Sequence, residues 1–424
     1  MMRWFIRCCA PLVAAFALAS CGSAPSPVAT ESQRLTAHIA ILSADDMEGR
    51  GAGYPGERRA ADYIAAEFAN AGLAPLNGSY FQAFEFRPVG GVEPFQRFPS
   101  RNVLGFLRGS TRPDEIVVIG AHYDGQGMIG QVREGRLGEA GAGDDHIWNS
   151  ASDNATSVAA LIELARSLAH APRRPERSIV FVAFSGEENR LNGAFAYVRR
   201  PPLPWRQHVA MINLEKLVGH EPTTFITATS GTTPRFAAIA AQAATASGVT
   251  ARDFHAGLVT DTDHFAFNIA GLPALVIGTG AYEHVHRHDD VRETLQLDNL
   301  PQRVSYIRAF LRALADDADP LPFTGNLTAY SGIAGGPATA SELATCSLTG
   351  PAFVVTAMAR VEAAQSDLRL GDVIVSANNA PLTFGEEGAN FLEDATRARG
   401  AVRVQIQCGA NRRDAHINLA ASPE

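Results

Sequence analysis

The stretch "SIVFVAFSGEENRLNGA", Ser178 to Ala194, joins an apolar run to a polar segment that opens like a helix. Residues 178–184 lack the apolar-polar alternation of a half-exposed strand, so they read as a strand covered on both faces. Similar short runs stand at 102–108 (NVLGFLR), 115–121 (EIVVIGA), 209–214 (VAMINL) and 273–278 (PALVIG). Helix-period segments lie between several of them. In 155–169, Val158, Leu161, Ile162, Ala165 and Leu168 form one stripe, and 56–73 place Ala60, Ile64, Phe68 and Leu73 near one face before Gly72. Such a pattern predicts an α/β fold with a mostly parallel central sheet covered by helices.

In open sheets of this kind, ligands bind beyond the carboxyl ends of the strands. Glu187 and Glu188 stand at such an end, His122 and Asp124 follow another, and Glu215 closes a third. Each has a plain alternative, since acids favour the first turn of a helix and Asp153, before the 155–169 helix, suits an N-cap. Convergence of three strand ends on one crest favours chemistry instead. In 280–295, His284, His286 and His288 alternate; as a strand they would share one face. Asp144, Asp145 and His146, in the long segment after His122, are rival ligands to Asp153.

Length and composition set the frame. The chain of 424 residues, 46% hydrophobic, has room for more than one domain. A formal charge of −8 and the lack of a basic stripe argue against a nucleic-acid partner. Residues 1–20 read as a signal peptide, with Arg3 and Arg7 ahead of an apolar stretch too short to span a membrane as a mature helix. Leu18-Ala19-Ser20-Cys21 resembles a bacterial lipobox, which makes Cys21 a lipidation site and, with Gly22 following, implies the outer membrane facing the periplasm. Loss of Arg3 and Arg7 with the signal takes the formal charge from −8 to −10. Residues 21–32 then read as a Pro/Ser-containing tether. Of five cysteines, Cys8 and Cys9 leave with the signal and Cys21 takes lipid; Cys346 and Cys408 remain free to pair in an oxidising compartment, a pairing the sequence leaves open.

The motifs LSADDMEGRGAGYPGERRAADYIAAEFANAGL, AHYDG, SDNATSVAALIELAR, FVAFSGEE, INLEKLVG, TDHFAFNIAGLPALVIG and HRHDDVRETL together resemble zinc peptidase family M28, over roughly residues 33–316. This family includes bacterial leucyl aminopeptidases and the glutamate carboxypeptidase group. The resemblance implies two Zn²⁺ ions, one held by His122, Asp153 and Glu215 and the other by Asp153, Glu188 and His286, with Asp153 bridging. It implies Glu187 as catalytic base, Asp124 accepting the second ring N–H of His122, and a cis peptide after Asp153. The chemistry suits these residue types. A metal pair can hold hydroxide and polarise a carbonyl, while an unligated carboxylate moves the proton to the leaving amine.

Some residues depart from the family pattern. Glu215 stands where many members have Asp, and Val285 precedes His286 where Tyr is commoner. The peptidase domain is expected over 33–317, a Gly/Pro-rich linker over 318–338, and over 339–424 a small β-rich domain resembling a PDZ domain, with Leu370-Gly371-Asp372-Val373-Ile374-Val375 and a turn at Asn378-Asn379 as its clearest part. Such a domain can bind an extended peptide by strand addition, or serve only in packing. The expected function is an aminopeptidase acting on peptides. The alternatives are a carboxypeptidase, a glutaminyl cyclase, against which retention of His122 speaks, or a metal-free peptide-binding surface lipoprotein.

Overall fold

The computed structural model describes Met1 and residues 29–86, 97–131, 145–218, 224–228, 232–254, 262–280, 282–324, 333–338, 340–358, 368, 371–382, 384–385, 388–389 and 401–418. The signal peptide, Cys21 and Asp144 lie outside them. The chain begins with helices α1 (Glu31–Leu42) and α2 (Pro55–Asn70), then strands β1 (Phe81–Phe86), β2 (Phe98–Leu107) and β3 (Arg112–His122). A two-residue hairpin, β4 (Gly127–Met128) and β5 (Ile147–Trp148), precedes α3 (Thr156–Ala169), β6 (Arg177–Phe184), α4 (Asn192–Arg199) and β7 (His208–Glu215). Next come β8 (Thr224–Ala228), α5 (Pro234–Ser247), β9 (Thr250–Phe254), α6 (His264–Asn268), β10 (Ala274–Gly278) and α7 (Leu300–Asp316).

The eight strands form one mixed sheet in the order β1-β2-β6-β3-β7-β10-β8-β9. Its centre, β6-β3-β7-β10, is parallel, as the continuous apolar runs predict. Antiparallel pairs join β1 to β2, β2 to β6, and β10 to β8. Both faces of the centre are buried. Val117, Ile119 and Ala121 of β3 pack with Ile179, Phe181 and Ala183 of β6 under α1, α2, α3, α5 and α7. The intervening Ile116, Val118, Val180, Val182 and Phe184 pack with Phe195 and Val198 of α4 and Phe267 of α6. No helix of the described residues is long and apolar enough to cross a membrane.

A second, β-rich sheet follows. Its strands are β11 (Ile333–Pro337), β12 (Phe353–Met358), β13 (Val373–Ala377), β14 (Ala380–Pro381), β17 (Ala401–Cys408) and β18 (Asn411–Asn418), with helix α8 (Ala340–Thr345) between β11 and β12 and a separate short pair, β15 (Phe384–Gly385) and β16 (Gly388–Ala389), before β17. The strand order is β11-β12-β13-β17-β18. Asn378 and Asn379, both left-handed, turn β13 into β14; Leu370 lies outside the described residues. The expected linker needs correction at its end, because Ile333–Pro337 pairs with β12, with a register shift between Ala334 and Gly335. Small residues that read as a connector instead accommodate a bulged edge strand. Cys346 and Cys408 form a disulfide within this sheet region.

Two charged contacts fasten the N-terminal helix to the domain, Glu31 with Arg308 of α7 and Arg34 with Glu163 of α3. Arg34 of α1 donates through Nε and Nη2 to the Glu163 carboxylate of α3 at 2.7–2.9 Å, and His38 Nε2 lies 3.6 Å from Glu163 Oε1. Burial alone would raise the Glu163 carboxyl, but the contacts with His38 and Arg34 outweigh it and pull it from 4.5 down to about 2. A carboxyl depressed on folding stabilises fully above its unfolded value, and that contribution is lost as pH falls from 4.5 towards about 2. Thermal melts of the parent and Glu163→Gln should therefore differ by on the order of 1–2 kcal/mol near neutral pH, with the gap closing towards pH 2. A pH-independent gap would contradict this account.

Candidate metal centre

Parallel register places the ligand candidates at one edge. His122, the last residue of β3, pairs with Phe184, the last of β6, and Glu215, the last of β7, pairs with Gly278 of β10. Three adjacent strand ends thus deliver His122, the Ser185–Glu188 turn and Glu215 to a common crest. Gly278 has no room for a side chain, since a Cβ there would lie 2.4 Å from the Glu215 carbonyl oxygen. The turn after β6 also needs glycine: Gly186 has φ +71°.

Asp153 does not serve as an N-cap. It precedes α3 in extended backbone, the Asp153–Asn154 peptide is cis, and its carboxylate turns to the crest. Oδ1 lies 3.1 Å from His122 Nε2, and Oδ2 lies 3.3 Å from His286 Nε2. His122 Nε2 is also 3.5 Å from Glu215 Oε2, while His286 Nε2 is 3.2 Å from Glu188 Oε2. Glu187 Oε2 lies 3.9 Å from His122 Nε2. Ligand atoms of His122, Asp153 and Glu188 come within 4.8 Å of one another, as do those of His122, Glu187 and Glu215.

Two expectations about geometry change. The segment containing His284, His286 and His288 is a turn, and His286 is left-handed at φ +60°, so the three rings do not share a strand face. Only His286 reaches Asp153 and Glu188; His284 pairs with Asp289 at 2.9 Å, and His288 with Asp145 at 3.1 Å. Asp145 thereby has its own partner. Asp124 also acts differently from the expectation. His122 Nδ1 meets the Asp124 main-chain oxygen at 3.1 Å, whereas the nearest carboxylate oxygen is 3.7 Å away. The Asp124 carboxylate instead accepts the amides of Glu187 and Glu188, at 3.2 and 3.3 Å. A short loop lets the main chain satisfy the ring and frees the acid to order the neighbouring turn.

Residues 102–311 match the sequence profile of Peptidase family M28. A probable zinc metalloprotease of Pyricularia oryzae is 34% identical over 161 residues, 38% of this chain and 28% of that protein. The chain thus spans little more than a quarter of that relative's length. In fold, the chain resembles the aminopeptidase from Aneurinibacillus sp. strain AM-1, with TM-score 0.53, 15% identity, and coverage of 70% of this chain and 96% of that one. The Porphyromonas gingivalis glutaminyl cyclase gives 0.54 and 20%, covering 66% and 97%.

The donor set fits zinc, which takes imidazole nitrogen and carboxylate oxygen. Glu188 Oε1 is buried with no hydrogen-bond partner among the described residues, as expected of a ligand oxygen. The charges of the crest are strongly biased. Burial pushes the Glu187 carboxyl well above its ordinary value, against the pull of His122 and with the help of Glu215 and Glu188. Burial also works upward on Asp153, but Lys216, His122 and His286 hold it well below the carboxylate range.

Several supporting residues carried only a general motif signal. Asn154 Nδ2 donates to the Leu214 carbonyl at 2.9 Å and its Oδ1 accepts the Lys216 amide at 3.0 Å, tying the start of α3 to the end of β7. Asp290 accepts the amides of Ser152 and Asp153. Buried Glu57 receives hydrogen bonds from Ser100, Ser185, Tyr123 and the Gly53 amide, bracing the residues beside His122 and Glu187. Asp263 is fully buried, its carboxylate has no hydrogen bond among the described residues, and burial raises it well above its ordinary value. The Gly49-Arg50 and Thr262-Asp263-His264 motifs mark two of these positions in sequence, without their partners.

Arg50 is the strongest brace. It is 1% exposed and donates to the carbonyls of Tyr123, Asn149 and Ser150 at 2.7–2.8 Å, and to that of Leu42. Its partners flank His122 on one side and precede Asp153 on the other. Arg50→Met should strand those acceptors, lowering stability by about 3 kcal/mol or more and reducing retained zinc. Chemical denaturation and metal analysis of the purified variant check both. Normal stability with full zinc would remove Arg50 from the frame of the site.

Proposed function

We propose that the chain is a two-zinc aminopeptidase, lipid-anchored in the cell envelope through Cys21. The observation that carries this reading is the division of labour at the crest. His122, Asp153 and Glu215 supply one set of donors, Asp153, Glu188 and His286 supply another, and Glu187 stands beside His122 as a further carboxylate. The Pyricularia relative is named a zinc metalloprotease, and the solved structures of like fold include an aminopeptidase.

When bound, zinc supplies Lewis acidity at the scissile carbonyl and makes an attacking water more acidic. The chain's residues provide the rest. Asp153 spans both donor sets through its two oxygens, held by the Asp290 contacts to its own and the preceding amide. Glu187 takes the water's proton on its carboxylate and returns it to the departing amine nitrogen. Its raised proton affinity suits an acid-base group that must hold a proton between those two events. Asp124 fixes the Glu187 and Glu188 amides, so that one carboxylate faces the metal position while the other stays free.

A glutaminyl cyclase shares the fold, so the substrate panel must separate the two activities. Aminoacyl amides should release amines, and a glutamine-initiated peptide should be trimmed without forming pyroglutamate. Glu187→Gln should keep its zinc and lose about 10²–10⁴-fold in kcat. Asp153→Asn should lose zinc itself. Undiminished turnover in the first variant, or full zinc in the second, would overturn the respective role.

The address has its own test. Lipid on Cys21 is the proposed attachment to the outer membrane facing the periplasm, and the β-rich C-terminal sheet, read as PDZ-like, offers a strand edge for an extended peptide. Cys21→Ala should shift the protein from the membrane pellet to the soluble periplasmic fraction. Unchanged fractionation would overturn the anchor.

A further inference from the structure

A second polar cleft lies where the C-terminus of α4 meets the edge of the sheet. Its volume is about 600 Å³, and its lining includes Glu85 of β1, Arg97 just before β2, and Arg199 and Arg200 at the end of α4. None of the crest residues line it. The backbone on the helix side is fixed, because Gln82 Nε2 of β1 donates to the Arg200 carbonyl at 2.8 Å and the Arg200 amide bonds to the Ala196 carbonyl at 3.1 Å.

Three guanidiniums thus share the cleft with one carboxylate. Arg97 Nη1 lies 3.9 Å from Glu85 Oε2, and both side chains are more than half exposed, so water weakens that pair. The side chains of Arg199 and Arg200 have no hydrogen bond or ion pair among the described residues. A helix C-terminus favours a cation in its last turn, which accounts for Arg199. It does not account for Arg97, which arrives from the strand side. Burial, with Arg200 and Arg97 adding to it, pulls the Arg199 guanidinium below its ordinary value, so the cluster holds uncompensated repulsion.

Guanidinium forks match the oxygens of carboxylate and phosphate. Charge selects between the two. Three arginines against Glu85 leave an excess of two positive charges, and a phosphate monoester carries about −1.5 to −2 near neutral pH, whereas a carboxylate carries one. The cleft is also larger than a phosphate group, with Phe84 and Pro99 lining it beside the cations. We propose that this cleft binds a phosphate monoester group, with Arg199 and Arg200 as its main donors and Arg97 completing the charge. The site is independent of the metal positions and of the reaction assigned to them.

Calorimetric titration of the full-length processed protein with inorganic phosphate, with soluble dihexanoyl phosphatidic acid and with acetate tests this. The parent should bind both phosphate probes, and acetate about tenfold more weakly or worse. Arg199→Gln should weaken the phosphate probes by about tenfold or more. Arg200→Gln should do the same, and its exposed position guards against a folding effect. A metal ion can itself take phosphate oxygens, so parent and variants are compared at equal zinc content, where the difference belongs to the cleft. Equal affinity for the two phosphate probes supports free phosphate as the occupant, and tighter binding of phosphatidic acid supports a lipid headgroup. A parent that takes up no phosphate, acetate binding as tight as phosphate, or titrations in which both variants match the parent would overturn the proposal.

Discussion

Repulsion among like charges is the constraint around which this domain is organised. Asp153, Glu187, Glu188 and Glu215 converge within a few ångströms of His122 and His286, and Asp124, Asp263 and Asp290 are buried close by. Carboxylates so confined raise one another's proton affinity unless cations or donated hydrogen bonds offset them. The fold supplies both. Backbone amides bond to Asp124 and Asp290, Lys216 lies against Glu215 and Asp153, and the charge of Arg50 acts on Asp290, Asp124, Asp153 and Glu188 although its hydrogen bonds go to carbonyls. Burial, with Glu215 and Glu188 adding to it, displaces the Glu187 carboxyl towards the protonated form against the pull of His122, whereas Lys216 and His122 hold Asp153 and Glu215 below their ordinary values despite their burial.

Much of this was legible in the sequence because strand ends are legible. Apolar runs over 115–121, 178–184 and 209–214 gave the central strands, and the polar residues following each gave the crest. Glu187, Glu188, His122 and Glu215 needed no tertiary information beyond the rule that parallel strands point the same way. What the sequence hid depends on side chains from distant segments. Glu57 and Ser100 belong to elements remote from Ser185, yet they meet beneath the turn. Asp124 was assigned to the correct neighbourhood but the wrong bond, because spacing does not distinguish its carbonyl from its carboxylate. The histidine segment was misread for a related reason. Alternating histidines suggest period-two geometry, whereas one left-handed residue in a turn sends His286 alone to Asp153.

The edges of the domain were harder than its centre. Continuous burial on both faces marks β6, β3 and β7 strongly, but β1 and β2 are antiparallel additions whose burial is mixed. The same limit affects the C-terminal region. Ile333–Pro337 is too rich in small residues to announce a strand, and it becomes one only because β12 offers a partner.

The two adjacent glutamates can take different jobs because they do not sit in a helix. Helix α4 begins only at Asn192, while Gly186, Arg190 and Leu191 are all left-handed. In a helical first turn, Glu187 and Glu188 would be about 100° apart on one exposed surface, a position that favours acids through the helix dipole but binds nothing in particular. The observed turn replaces the dipole with a specific partner. Both amides point to Asp124, the Glu187 side chain turns towards His122, and that of Glu188 towards His286. Gly186 permits the sharp departure from β6, and the buried bond network of Ser185 to Glu57 keeps the departure point from moving. Divergence of neighbouring side chains is therefore enforced from below by a buried acid and from the side by another, so that the backbone itself turns the two adjacent carboxylates towards different histidines.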